Sequence, residues 1–240
     1  MAVVEWEKRG NVALVTMTNG ENRHNTTFVR DMSAALDAVE SDKELTSVVI
    51  TSNDPKNWSQ GIDLAWLTER MGKNDIKEIK EFLYGINGIF KRILTYPMPV
   101  IAAINGHAVA NGAILSCACD FRFMRADRGF FFFPEIDIGI PFLPGMLAFC
   151  RKAIPEYKFN EMLLSGRRYG ARELQEHRII VKACESQEAL MQEVMAFAQT
   201  YQKKRGIFGE MKRRMYKEMV VVIDTEDPPI IDQLKLMVGD

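Results

Sequence analysis

No segment of these 240 residues is apolar for the roughly 20 consecutive positions that a membrane-spanning helix needs. Cysteine is scarce. Cys117, Cys119, Cys150 and Cys184 lie in apolar or helical stretches without C-x-x-C spacing, which speaks against a disulfide framework and leads us to expect buried, reduced thiols. Three histidines, His24, His107 and His177, are too scattered to suggest a metal site by spacing, so none is expected. Charge of neither sign prevails, since 31 Lys and Arg stand against 32 Asp and Glu for a net charge of −1. Without a basic stripe, nucleic acid is not an expected partner. Residues 1–7 lack the basic and then long apolar pattern of a signal peptide, and residues 237–240 match no common targeting signal. A cytoplasmic setting with no membrane partner is therefore expected.

What is present is a full complement of core-forming residues, 47% of the chain. The pattern opens with a hairpin over residues 3–8 and 12–18 around Gly10 and Asn11, followed by a polar loop at 19–25. Helical spacing marks 28–39, and 47–52 reads as a strand. Ile76, Ile79, Leu83, Ile86, Phe90 and Ile93 recur every three or four positions, predicting a long helix that Pro97 and Pro99 end. Strands follow at 100–104, 120–126 and 130–133, with a short buried helix after the first. Helices are expected at 144–152, 157–165, 171–177, 187–204 and 206–222. Alternating strands and helices followed by helices alone predict an α/β core over 1–185 and a helical C-terminal region over 186–240.

The most informative segments are two glycine-bearing turns, Trp58-Ser59-Gln60-Gly61-Ile62-Asp63-Leu64 and Asn105-Gly106-His107-Ala108-Val109-Ala110-Asn111-Gly112. Each follows an apolar run that reads as a buried strand, and the second leads straight into a helical stretch. A strand ending in a turn leaves backbone N–H groups without partners, and a helix start adds its positive dipole end. Two such turns side by side make preorganised donors for a developing oxyanion. The competing reading is that their glycines serve only tight turns and close packing. Neither turn has the G-x-G-x-x-G or G-x-x-x-x-G-K-[ST] spacing that cradles phosphates.

The string Ser59-Gln60-Gly61-Ile62-Asp63-Leu64 resembles the S-A-G-x-D-L turn of the enoyl-CoA hydratase/isomerase (crotonase) superfamily. Pro99-Val100-Ile101-Ala102-Ala103-Ile104-Asn105-Gly106-His107-Ala108 is similar to its P-V-I-A-A-I-N-G-x-A station, and Cys119-Asp120-Phe121-Arg122 and Pro134-Glu135-Ile136-Asp137-Ile138-Gly139-Ile140 match two more. The resemblance covers roughly residues 3–185 and implies a spiral of repeated ββα units, with the C-terminal helices covering the pocket and joining subunits into a homotrimer or hexamer. It implies an acyl-CoA thioester substrate and no other cofactor. The oxyanion donors would be the backbone N–H groups of Ile62 and Asn111. The family has glycine where Asn111 stands, and asparagine tolerates unusual backbone angles better than most residues. Arg23, Gln60, Gly61, Asp63 and Leu64 would contact the CoA ester, with Arg23 as the basic residue for its phosphates; Lys212 and Arg213 are weaker suggestions. Asp63 is also expected to cap the helix that begins at Leu64.

Hydratases of this family carry two glutamates. One falls here on Ile114, which cannot ionise, and the other on Glu135. Hydration must activate water and also handle a proton at the neighbouring carbon, whereas a double-bond shift needs one base that takes a proton from C2 and returns it at C4. This loss points to a 3-enoyl-CoA to trans-2-enoyl-CoA isomerase of fatty-acid oxidation. Alternatives are a hydratase or thioester hydrolase with its second group elsewhere, and a non-catalytic acyl-CoA binder. A glutamate at a strand end is usually a solvated charge, but the apolar neighbours of Glu135, Phe131 to Phe133, Pro134, Ile136 and Ile138, make a setting that favours the neutral acid. Asp137 is expected on the same side if the chain stays extended. Trp66, Leu67 and Phe142 are candidate linings of an acyl pocket. Leu143 occupies the place where diene isomerases of the family carry an aspartate, which speaks against that activity.

Overall fold

The computed structural model describes residues 2–238. The hairpin is present as β1 (Val4–Arg9) and β2 (Val12–Met17), antiparallel around Gly10 in the left-handed region at φ 64°. A two-residue strand β3 (Arg23–His24) then leads to α1 (Thr26–Ser41), whose first turn is capped by Asn25 accepting from the Phe28 N–H. Next come β4 (Ser47–Ser52), the short strands β5 (Asn57–Ser59) and β6 (Gly61–Ile62), α2 (Leu64–Gly72) and α3 (Ile76–Thr95). The chain continues through β7 (Val100–Ile104), β8 (His107–Val109), α4 (Asn111–Ala118), β9 (Phe121–Arg125), β10 (Phe131–Phe132) and the single turn α5 (Glu135–Ile138). Helices α6 (Pro144–Ala153), α7 (Glu156–Ser165) and α8 (Ala171–Glu176) precede a last strand β11 (Lys182–Cys184). Four helices close it: α9 (Gln187–Gln199), α10 (Arg205–Met215), α11 (Lys217–Thr225) and α12 (Asp227–Asp232).

These elements form the expected spiral of ββα units. The main sheet runs β1-β2-β4-β7-β9-β11, parallel except for the hairpin, and a smaller sheet runs β5-β8-β10. Each turn of the spiral adds one strand to each sheet, so the loops joining the two sheets stack on one another. That stacking brings the two glycine-bearing turns together.

The main sheet is apolar on both faces. Along β4, Val48 and Ile50 point into the larger core with α1 and α3, while Val49 points to the other face. There Leu190, Val194 and Ala198 of α9 cover it, and the Ser47 hydroxyl donates to the Ala198 carbonyl at 3.1 Å. Helix α9 is thus a layer of the core, and the division at 185/186 does not separate two bodies. It ends at Gln199, five residues short of the expected span, and the expected helix at 206–222 is broken into α10 and α11 at Tyr216. Helix α12 follows where Pro228 and Pro229 fit a helix start.

The C-terminal helices are fastened by a buried ion pair. Lys212 Nζ donates to Asp120 Oδ2 at 2.7 Å and to the Ile93 carbonyl at 2.9 Å, and the Val100 N–H donates to the same carboxylate oxygen at 2.8 Å. Both side chains are under a tenth exposed. Removing one partner strands the other charge in the interior. Asp120→Ala is expected to cost about 3–5 kcal/mol of stability in urea unfolding; a loss below about 1 kcal/mol would show that the pair does not anchor α10.

Candidate active site

The two turns meet backbone to backbone. Gly61 sits at φ +80°, and a Cβ there would lie 2.9 Å from the Asn111 nitrogen and 2.9 Å from the Val109 carbonyl oxygen. Gly112 faces the Ser59 carbonyl oxygen, 2.5 Å from where its own Cβ would stand. Only glycine permits this approach. Asn111 is the first residue of α4, so its N–H has no intrahelical partner. The resulting geometry places the start of α4 against the Gly61–Ile62 strand, as the oxyanion reading of the sequence requires.

One expectation about the second turn is corrected. The unusual backbone angles belong to Ala110, at φ 51° and ψ −127°, and Asn111 lies outside the left-handed region. An alanine there costs on the order of 1–3 kcal/mol and persists because the surroundings dictate it. The tolerance of asparagine for such angles therefore plays no part.

Glu135 opens α5. The segment is not extended, since the Asp137 N–H donates to the Pro134 carbonyl and Gly139 ends the turn at φ 66°. Two helical steps turn a side chain to the opposite side. Asp137 is accordingly exposed, while Glu135 is 8% exposed. Ile136 and Ile138, expected to enclose the carboxyl, are exposed as well. Glu135 lines a cavity of about 730 Å³ whose apolar wall includes Phe142, Leu147, Leu163 and Leu164, with Val238 from the C-terminal segment. Trp66 and Leu67 instead pack against the core, Trp66 edge-on to Phe82 at 5.2 Å, and do not line it. Within the protein, Glu135 Oε2 is buried without a hydrogen-bond partner. Burial pushes the carboxyl pKa up to about 8, against a smaller lowering by a backbone hydrogen bond. At the position of the family's other glutamate, Ile114 is buried in α4 at 2% exposure.

The remaining site candidates divide. Arg23 pairs in strand register with Gly61, and its Nε donates to Glu21 at 2.8 Å from a half-exposed side chain. Gln60 is tied to Asn57 by its side-chain amide at 2.6 Å, and Leu64 is exposed at the start of α2. Asp63 is spent on the fold: its carboxylate accepts from the Trp66 N–H at 3.0 Å, and its own N–H donates to the His24 carbonyl. Its backbone N–H and its capping oxygen are thus both engaged within the chain. Lys212 is buried in its ion pair and Arg213 is held by Glu210, so neither is a free cation for phosphates. His107 accepts from the Phe130 N–H, and burial lowers its pKa, helped by Lys56 and two arginines. Among the described residues no cluster of side chains suits a metal, and no helix is long and apolar enough to cross a membrane.

The family model described as enoyl-CoA hydratase/isomerase matches residues 7–224. The chain belongs to the enoyl-CoA hydratase/isomerase family. It is 30% identical over 227 residues to enoyl-CoA delta isomerase 3 of Arabidopsis thaliana, covering 91% of this chain and 94% of that one. It is 33% identical over 202 residues to a putative enoyl-CoA hydratase of Thermus thermophilus, covering 80% and 78%. Among solved structures, a probable enoyl-CoA hydratase of Mycobacterium tuberculosis aligns with a TM-score of 0.86 at 22% identity, over 98% of this chain and 97% of that one. The fold expected from the sequence is thus the fold found, and membership of this family, whose members act on acyl-CoA thioesters, supports an enzyme.

Sequence reasoning passed over His24. This side chain is fully buried beside both turns, and burial pushes its pKa down to about 3. Its only signal in the sequence was its position one residue after Arg23.

The raised pKa of Glu135 has a consequence for stability. Folding moves the carboxyl from 4.5 to about 8, so its contribution to the folded state is complete below the ordinary value and is lost as pH rises through about 8. Glu135→Gln does not titrate. Its stability relative to the parent is expected to rise by on the order of a few kcal/mol between about pH 5 and pH 8.5 in urea unfolding. Parallel pH dependence of the two proteins would mean that the carboxyl is solvated.

Proposed function

We propose that this enzyme moves the double bond of 3-enoyl-CoA to give trans-2-enoyl-CoA in fatty-acid oxidation. The observation that carries the reading is the buried carboxyl of Glu135 lining an apolar cavity, with Ile114 where a second acid would stand. Its carboxylate takes a proton from C2, and the negative charge spreads through the dienolate onto the thioester oxygen. The N–H groups of Ile62 and Asn111 receive that charge. The protonated Glu135 then returns the proton at C4, and the acid ends as the base it began as. No water enters this sequence, so one carboxyl suffices.

The acyl chain occupies the cavity lined by Phe142, Leu147, Leu163 and Leu164. Arg23, the register partner of Gly61 on the neighbouring strand, serves the CoA phosphates, and no further cofactor takes part. Assembly as a homotrimer or hexamer is supported by α10, where Ile207, Met211 and Met215 stand exposed at four-residue spacing on one side.

Wild-type protein incubated with 3-enoyl-CoA is expected to yield the 2-enoyl ester, and Glu135→Gln to lose roughly 10²- to 10⁴-fold in kcat/KM. A 3-hydroxyacyl product would make it a hydratase, free CoA a hydrolase, and tight binding without conversion a binder. Unimpaired turnover by Glu135→Gln would remove the carboxyl from the mechanism. Because the base must be ionised, kcat/KM is expected to rise with pH and level off above about 8. A profile that is flat from about pH 6 to 9 would contradict this.

A further inference from the structure

We propose that His24 is a positioning residue for the carbonyl-binding turns, held as the neutral Nε2–H imidazole that couples Ser59 of one turn to Asn111 of the other. The inference rests on reading Ile62 and Asn111 as the carbonyl donors, and it concerns what sets their spacing.

The tautomer follows from the partners. Ser59 Oγ lies 2.8 Å from the Asn22 carbonyl oxygen, which can only accept, so the single hydroxyl proton of Ser59 points there. The Gly61 N–H donates to the same Oγ at 3.1 Å. His24 Nε2 is 3.0 Å from that Oγ. With the hydroxyl proton already committed, Nε2 must be the donor. Nδ1 is then the acceptor, and the amide nitrogen Nδ2 of Asn111 stands 2.8 Å from it. The sequence of bonds is unbroken. It runs from the Asn111 amide to the imidazole, from the imidazole to Ser59, and from Ser59 to the Asn22 carbonyl.

The ring is also fixed in its plane. It stacks on Phe28 with centroids 4.0 Å apart and 17° between planes, and Phe28 belongs to α1. Its own strand β3 pairs with β6, which carries Gly61 and Ile62. A rigid side chain thus spans from the residue two before Gly61 to the residue that opens α4. Two non-glycine residues with φ near +51° lie at this chain of bonds: Asn22, whose carbonyl accepts from Ser59, and Ala110, next to Asn111. Such angles persist only where neighbouring groups over-determine them. Imidazole supplies one donor and one acceptor on opposite sides of a flat ring, which is what this gap requires. Charging the ring would place a second donor against the Asn111 amide nitrogen and break the sequence of bonds. Its complete burial keeps it neutral.

The proposal is tested by a double-mutant cycle of His24→Phe and Asn111→Ala, with 3-enoyl-CoA turnover and bound carbonyl-labelled hexanoyl-CoA as readouts. His24→Phe keeps a flat ring for Phe28 and loses both hydrogen bonds. It is expected to lower kcat roughly 10- to 100-fold with little change in KM, and to return the infrared carbonyl stretch of the bound ester toward its value in water. In the Asn111→Ala background the same substitution is expected to do little more. Equal, additive losses in both backgrounds would reduce His24 to a packing residue and overturn the proposal. Should His24→Phe fail to fold, nitrogen NMR of the ring in the wild-type protein decides the matter. A proton on Nε2 at neutral pH is expected, and a proton on Nδ1 or on both nitrogens would overturn it. The carbonyl stretch and the tautomer need no reaction, so absent turnover of 3-enoyl-CoA would overturn the assigned reaction and leave this test standing.

Discussion

The molecule depends on one close approach, that of the Gly61 α-carbon to the amide that opens α4. Neither backbone has room for a side chain between them, and Gly112 repeats the condition one residue on against the Ser59 carbonyl. Main-chain donors placed in this way cost no reorganisation when charge develops on a substrate oxygen. The rest of the fold serves to hold that approach. Two parallel sheets advance together along the spiral, so the turn after β5 and the turn after β8 are stacked by the same pairing that builds the core.

Set against these fixed dipoles is a carboxyl whose protonation is adjustable. Glu135 is held by a single helical turn between Pro134 and Gly139, with one oxygen buried and unpartnered. Burial, rather than a charged neighbour, raises its proton affinity. A carboxyl tuned chiefly by desolvation responds to whatever enters the cavity, because a ligand changes the solvent it sees. The chemistry then divides between backbone that does not move and one side chain that changes charge.

The sequence made the long periodic elements legible. Apolar spacing gave α3, and the continuous apolar run of β4 gave a strand buried on both faces, because each pattern lasts long enough to be read. Strands β3, β6, β8 and β11 were hidden, being two or three residues long and specified by tertiary pairing. Glu135 was legible as a residue but not as a conformation. Its single helical turn carries no periodicity, so the extended path assumed for Asp137 is not found and Ile136 and Ile138 were given a burial they lack. Asn111 was legible as a departure, yet the strained residue was Ala110 beside it. His24 was invisible for a different reason: a buried polar residue is identified by its partners, and Ser59 and Asn111 are 35 and 87 positions away.

Helix α9 has a consequence for how such a chain is made. Its residues Leu190, Val194 and Ala198 seal a face of the main sheet formed by strands made far earlier, from Val12 of β2 to Phe123 of β9, and by the neighbouring β11. Until that helix has left the ribosome, Val49, Ile101 and Phe123 have nothing to cover them, and a nascent chain with a bare parallel sheet is prone to associate with other chains. That face of the sheet closes only when α9, near the far end of the chain, has been made.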